Sequence, residues 1–309
     1  MNTTNNPASV AHPAHSEPSA DVTARRQAFR RLHEAGCFVI PNPWDVGSAR
    51  YLQQLGFPAL ATTSAGFAFS QGLPDSEGAL ALDRNLMHIA DLAAAVDVPL
   101  NADFASGYAR APEDVADNVT RCVATGVAGL SIEDATGDSE SPLYDLPLAV
   151  ERIRAARQAL DRSGSDVLLT ARAECYLVGH PDPLRESARR LQAYADAGAD
   201  VLFAPGPHDP AEIKALVEAV RPKPVNLLVA RDIGLGVVDI AALGVRRISV
   251  GPALALAAWA AFSRAAQVLK SEGSFAGLAK LMPYPEINGL FAADYSARHP
   301  RGSGSLGSA

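Results

Sequence analysis

The chain has 309 residues, 48% of them hydrophobic and 20% charged, with a formal net charge of −7. That length and composition suit one large globular α/β unit, and the acidic balance argues against nucleic acid or an anionic membrane as the main partner. No stretch approaches about twenty uninterrupted apolar residues, so no membrane span is expected. The three cysteines, Cys37, Cys122 and Cys175, are widely spaced, which points to a reducing, cytoplasmic compartment rather than a disulfide framework. Residues 1–22 and 296–309 read as flexible tails around a single domain over 23–295, because neither end carries an apolar pattern.

In chain order, an Arg-rich helix over 24–35 precedes a first strand, FVIP, at 38–41. A helix over 45–55 stops at Gly56, and ALATT at 59–63 is the second strand. A long loop, SAGFAFSQGLPDSEG, then leads to a helix over 79–95. The third strand, 99–103, ends in Asp103, and a helix follows over 112–125. The fourth, 129–133, ends in Glu133, followed by a helix over 148–161. The fifth, 167–171, runs into Arg172, with a helix over 184–197. Strands at 201–204, 224–229 and 247–250 alternate with helices over 210–220, 237–243 and 253–270. Gly56, Gly126, Gly198 and Gly244 fall where helices need a left-handed cap.

Eight apolar strand runs alternating with eight helices are the pattern of an α/β (β/α)8 TIM-type barrel. A doubly wound open sheet competes less well, since the first turn reads NPWDVG and carries no glycine fingerprint. The helix over 253–269 is apolar on nearly all sides, which implies cover from a partner subunit.

In such barrels the working groups sit at the C-terminal strand ends. Those positions hold Asn42 and Asp45, then Ser64, Ala65, Gly66 and Asp75, then Asp103 and Tyr108, then Glu133 and Asp134, then Arg172 and Glu174, with Asn226 in the seventh strand. Alone, Asp75 reads as a helix N-cap, and Asp103 or Glu133 as a structural partner of Arg172. Together, Asp75, Asp103 and Glu133 on successive loops point to one hard cation, Mg2+ or Mn2+. Arg172 beside them suits the carboxylate of a small anionic substrate. Cys175 reads as a core residue, the glycines at 234 and 236 are too few for a nucleotide loop, and neither GxSxG nor HExxH occurs.

The stretches TTSAGFAFSQGLPDSE, VPLNADFASGY, GVAGLSIED, LLTARAE and AYADAGADVLF together resemble the isocitrate lyase/phosphoenolpyruvate mutase superfamily over roughly residues 38–291. The resemblance implies a barrel whose last helix is swapped between subunits, a Mg2+ cofactor, and C–C or P–C chemistry next to an α-oxo acid by way of an enolate. By residue, it implies that Asp103 touches the metal and that Asp75 and Glu133 reach it through water. Arg172 binds the substrate, Ser64 with the N–H groups of Ala65 and Gly66 cradles its carboxylate, and Asp45 and Asn226 complete the pocket. Two departures stand out. The family's Asp-x-Asp-Thr-Gly-Tyr-Gly reads here as DFASGYA, with Ala105 in place of the second acid. The loop ATGDSESPLYDL lacks both the Lys-Lys-Cys-Gly-His stretch of the lyases and the Lys and Asn of the mutases. These departures favour decarboxylation or retro-aldol cleavage of an oxaloacetate-like acid, with Arg172, Glu174 and Tyr108 as catalytic groups and Tyr108 as proton donor. A P–C bond enzyme and a non-catalytic oxo-acid binder are the alternatives.

Overall fold

Every strand of the sheet runs parallel to its neighbours, in the order β1-β8-β7-β6-β5-β4-β3-β2. The strands are β1 (Phe38–Ile40), β2 (Leu60–Ala61), β3 (Leu100–Asp103), β4 (Gly129–Glu133), β5 (Leu168–Arg172), β6 (Val201–Phe203), β7 (Val225–Leu228) and β8 (Arg247–Ser249). The computed structural model describes residues 20–299. Within it, β1 pairs with β8, and a hydrogen bond from the Ala61 N–H to the Pro41 carbonyl, 3.1 Å, draws β2 to the end of β1. The eight strands thus form the nearly closed ring of a (β/α)8 barrel. Most of both expected tails lies outside the described residues.

The helices are α1 (Ala20–Leu32), α2 (Val46–Gln54), α3 (Ser64–Ser70), α4 (Leu82–Ala95), α5 (Pro112–Val123), α6 (Leu146–Arg162), α7 (Pro183–Asp196), α8 (Pro210–Ala219), α9 (Val237–Ala242), α10 (Ala253–Glu272) and α11 (Tyr284–Arg298). Helix α1 begins at Ala20, inside the expected tail, and α11 runs on to Arg298. Proline stands in the first turn of α5, α6, α7, α8 and α11, where its missing N–H costs nothing. The four helix-ending glycines take φ between +87° and +102°. Helix α3 corrects the reading of residues 64–78 as a loop. The Thr63 hydroxyl accepts from the Gly66 N–H at 3.2 Å, and Ala65, Gly66, Phe67 and Ala68 are buried. A cap and a packed face carry this short helix despite its glycine.

Strand side chains alternate between two environments. In β4, Leu130 and Ile132 join the outer core between sheet and helices. In β5, Leu169 and Ala171 do the same. The inner face is layered. At the N-terminal end Phe29, from α1, packs with Phe38, Ile40, Ala61 and Leu168 in a small separate core. Helix α1 is pinned there by Arg26, which donates to the carbonyls of Val127 and Val123 at 3.0 Å each. Above that floor the lining turns polar, with Asn101, Ser131, Thr170, Asn226 and Arg247 all buried. Continuous apolar strands are therefore true only of the outward positions. The charged layer comes last, at the mouth, where strand register sets Glu133 directly beside Arg172.

Helix α10 buries only Ala255 of its twenty residues. Trp259 and Phe262 are 43% and 63% exposed, and Leu254, Leu256 and Leu269 are exposed as well. Helix α11 returns to its own barrel through Arg298–Asp97 at 2.9 Å and Arg50–Asp294 at 3.3 Å.

Phe29 is fully buried and fills the bottom of the barrel. Phe29→Ala is expected to lower the free energy of unfolding by roughly 3–5 kcal/mol, read from the denaturation midpoint at unchanged slope.

Candidate active site

Asp103 is the last residue of β3, and its carboxylate is gripped from two sides. Oδ2 accepts from the Ser64 N–H at 2.9 Å and from the Ser64 hydroxyl at 2.8 Å. Oδ1 accepts from Arg172 Nη1 at 3.0 Å. The same Nη1 lies 3.0 Å from Glu133 Oε2, and Arg172 Nε donates to Glu174 Oε1 at 2.9 Å. One guanidinium at the end of β5 therefore meets three carboxylates. Glu174 is itself fixed from behind, because its N–H donates to Asp134 Oδ1 at 2.9 Å. Asp134 Oδ2 accepts from Arg190 Nη1 at 2.9 Å and from the Tyr194 hydroxyl at 2.5 Å.

The turn after β3 is unusual. Ala105 and Tyr108 sit at φ +46° and +57°, a region that side chains rarely adopt, with Gly107 between them at +80°. Arg152 from α6 holds it in place. Its Nη2 donates to the carbonyls of Ser106 and Ala109, and its guanidinium stacks 4.0 Å from the Tyr144 ring. Glu77 ties the neighbouring loops together. It accepts from the Ser106 hydroxyl at 2.9 Å, and its Cβ would lie 2.4 Å from any Cβ added at Gly137, which is at φ +76°.

A cavity of about 350 Å³ opens at the barrel mouth. Of the residues singled out from the sequence, Ser64, Ala65, Asp75, Asp103, Glu133, Arg172, Glu174 and Asn226 line it. Tyr108 lines an adjoining cavity shared with Ser64, Asp75 and Glu133. Gly66 lies behind the wall, where an added Cβ would be 2.7 Å from Thr63 Cγ2 and 3.1 Å from Trp44 Cβ. Asp45 is placed differently from the expected substrate contact. It is exposed and caps α2, accepting from the Ser48 N–H at 2.6 Å and the Ser48 hydroxyl at 2.7 Å. Asp75 is not the cap of the next helix, since α4 starts at Leu82 without a side-chain cap. The ion pairs of Asp103 and Glu133 with Arg172 do form.

Four carboxylates, Asp75, Asp103, Glu133 and Glu174, share the cavity lining with two guanidiniums, Arg172 and Arg247. Burial acts on the acids first, and their mutual repulsion adds to it. Burial raises the pKa of Glu133 and of Glu174 against the pull of Arg172. Burial, and next the charge of Asp103, raise that of Asp75. Burial opposes the charge on Arg172, but Glu133, Glu174 and Asp103 outweigh it, and its pKa is raised. An all-oxygen donor set with surplus negative charge is chemically suited to a hard divalent cation. Among the described residues, no three acidic, His or Cys side chains are gathered closely enough to hold an ion as they stand. Arg172 Nη1 is at 3.0 Å from both Asp103 and Glu133, as a cation would be, though at longer range.

Sequence reasoning missed Arg152, Arg190 and Arg247. The first two carried a signal, as each is an arginine on the apolar face of its helix, between buried Ala149 and Ala156 in α6 and between Ser187 and Tyr194 in α7.

The family described as phosphoenolpyruvate phosphomutase matches residues 29–270. A crystal structure from Burkholderia cenocepacia J2315, of a candidate lyase/mutase, is 47% identical with a TM-score of 0.84, over 88% of this chain and 98% of that one. The structure of 2,3-dimethylmalate lyase, a member of the PEP mutase/isocitrate lyase superfamily, is 28% identical with a TM-score of 0.77, over 91% of this chain and 98% of that one. An oxaloacetate decarboxylase of Paraburkholderia xenovorans (strain LB400) is 31% identical over 67% of this chain and 69% of its own length. With its barrel, its acid-lined mouth and these relatives, the chain belongs to the phosphoenolpyruvate phosphomutase family, within the isocitrate lyase/phosphoenolpyruvate mutase superfamily of carbon–carbon lyases and mutases.

Proposed function

We propose that the protein is a Mg2+-dependent lyase that breaks a C–C bond in a small α-oxo or 2-hydroxy carboxylate, by decarboxylation or retro-aldol cleavage of an oxaloacetate-like acid. The observation that carries this reading is the single guanidinium of Arg172 set among three carboxylates in an acid-rich cavity. Asp103, with Asp75 and Glu133 through water, would hold Mg2+ or Mn2+. When bound, the ion supplies the positive charge toward which electrons from the breaking bond move. Arg172 receives the substrate carboxylate on Nη2, the nitrogen that Asp103, Glu133 and Glu174 leave free, and Glu174 keeps its guanidinium aligned. Ser64 and Ala65 form the side of the pocket nearest Asp103, with Gly66 behind them, and Asn226 lines the same space. In decarboxylation the electron pair of the breaking bond passes into an enolate and carbon dioxide departs; in retro-aldol cleavage the substrate hydroxyl also gives its proton to water as it becomes the carbonyl of the departing oxo acid. A proton then completes the product. Tyr108 is placed for that last step, lining the adjoining cavity with Ser64, Asp75 and Glu133; burial and the charge of Asp103 raise its pKa, so it yields a proton only to a strongly basic centre such as the enolate carbon. The oxaloacetate decarboxylase and dimethylmalate lyase relatives support C–C chemistry, and the loop after β4 lacks the lyases' cysteine.

The test is release of pyruvate or phosphate from oxaloacetate, methylisocitrate and phosphonopyruvate, with Mg2+ and with EDTA. Turnover of one of the first two is expected, abolished by EDTA and reduced roughly 10²-fold or more in Asp103→Ala. Unchanged turnover in that variant overturns the assignment, and phosphate from phosphonopyruvate alone makes the protein a P–C bond enzyme, the reading favoured by the family's own description.

We also propose that a second copy of the chain covers α10, making a homodimer or a homotetramer, and that the protein works in the cytoplasm. Among the described residues no helix is long and apolar enough to cross a membrane, and Cys37, Cys122 and Cys175 are free thiols. Trp259 and Phe262 meet edge to face, 5.4 Å between ring centres, on the exposed side of α10. The double substitution Trp259→Glu, Phe262→Glu is expected to shift the sedimenting species to a monomer. A wild-type protein that sediments as a monomer at all concentrations refutes the assembly.

A further inference from the structure

Below the acid layer the same cavity reaches Arg247, a second arginine that the proposed chemistry does not use. Arg247 opens β8 and is 3% exposed. Its Nε donates to Asn226 Oδ1 at 2.7 Å and its Nη2 to the Thr170 hydroxyl at 3.1 Å. Its Nη1 meets His33 Nε2 at 3.4 Å. His33 Nδ1 lies 2.8 Å from the Phe29 carbonyl, so that nitrogen carries the proton and Nε2 accepts. Burial first, and the Arg247 charge next, push the His33 pKa down to about 3, so the ring is neutral. All three partners of Arg247 are thus uncharged.

No acid among the described residues opposes this guanidinium, and burial alone lowers its pKa, to about 9. A buried charge without a counter-charge is costly, and arginine does not escape the cost by losing its proton at neutral pH. Three of the five N–H groups of a guanidinium are spent on Asn226, Thr170 and His33, which leaves two beside the cavity. Near them is a further unspent polar group. Ser249 Oγ accepts from Asn226 Nδ2 at 2.9 Å and keeps its own proton to donate. Thr170 stands two residues before Arg172 on β5, so the Arg247 guanidinium lies roughly 7 Å deeper than the mouth.

We propose that Arg247 is the centre of a second, buried anion-binding subsite in the barrel, which takes a carboxylate-sized anion, either free or as the far end of a diacid. The apolar floor of Phe29, Phe38 and Leu168 lies beneath it, and the acids at the mouth lie above. The position is a pocket for negative charge screened from the four carboxylates by a layer of neutral amides and hydroxyls. This subsite stands whether or not the mouth performs the lyase reaction.

The experiment is a set of thermal melts of the intact protein in EDTA, titrated with acetate or succinate at ionic strength fixed by a bulky sulfonate salt. A saturable rise in Tm is expected in the wild type and equally in Asp103→Ala, whose turnover is lost. In Arg247→Met and Arg247→Gln the apparent affinity should fall tenfold or more. In addition, Arg247→Met without added anion should melt no lower than the wild type, because an apolar side chain relieves an unmatched charge. Equal affinity for the two anions identifies a free monocarboxylate. Succinate binding tenfold tighter, with that advantage lost in Arg172→Gln, identifies a diacid that reaches both arginines. Crystals of the unmutated protein soaked in bromide should show an anomalous peak beside the guanidinium, a readout that needs no variant. A wild type with neither a saturable shift nor a bromide peak overturns the proposal, as does an undiminished titration in folded Arg247→Met.

Discussion

The mouth of this barrel depends on one interaction, the grip of the Arg172 guanidinium on Asp103, Glu133 and Glu174. Three carboxylates that close would repel one another strongly in a partly dry cavity. A single delocalised cation with a rigid fork of donors lets them coexist, and it fixes their directions as well. Strand register contributes first, since Glu133 and Arg172 are paired across β4 and β5 before any side chain is chosen. The supporting layer of Asp134, Arg190 and Tyr194 then holds the turn that carries Glu174. The cavity is still short of positive charge, since four carboxylates share its lining with two guanidiniums, and burial first of all raises the pKa of Glu133, Glu174 and Asp75. That shortfall is the physical reason a divalent cation belongs in the functional reading.

The barrel could be read from the order of residues because short apolar runs alternate with helices, three of those runs close on a charge, and α2, α5, α7 and α9 are followed by a glycine at positive φ. Asp103, Glu133 and Arg172 were legible for the same reason, as charges placed where the strands end. Helix α3 was not, since SAGFAFS has a glycine in its first turn and only the Thr63 cap and its burial against Trp44 and Ala255 make it helical. Asp45 was misplaced although the sequence held the answer. An acid three residues before Ser48 at the start of a helix is a capping pattern, and Oδ1 accepts there. Arg247 was invisible to pattern reading, because RRISVG looks like any strand entered from a basic loop. Only the inward alternation of β8 shows that the second of its two arginines points into the barrel.

The inner surface also departs from the usual barrel filling of branched aliphatic side chains. Asn101, Ser131, Thr170, Asn226 and Ser249 replace them in the middle of the strands. Some of their amides and hydroxyls bond to one another and to part of the Arg247 guanidinium, as in Asn226, which joins Ser249 at 2.9 Å to Arg247 at 2.7 Å. Apolar packing is left to the outer layer and to the small cluster around Phe29. The stability of the barrel and the polarity of its interior are thereby assigned to different faces of the same strands.

The plug formed by Phe29 has a bearing on traffic. With α1 sealing the far end, the barrel is a well with one opening, and nothing can pass through it. Whatever rests lowest has to arrive before the space above is filled and has to wait until that space clears. Order of entry and exit is in this way imposed by the shape of the shaft, with no moving part required.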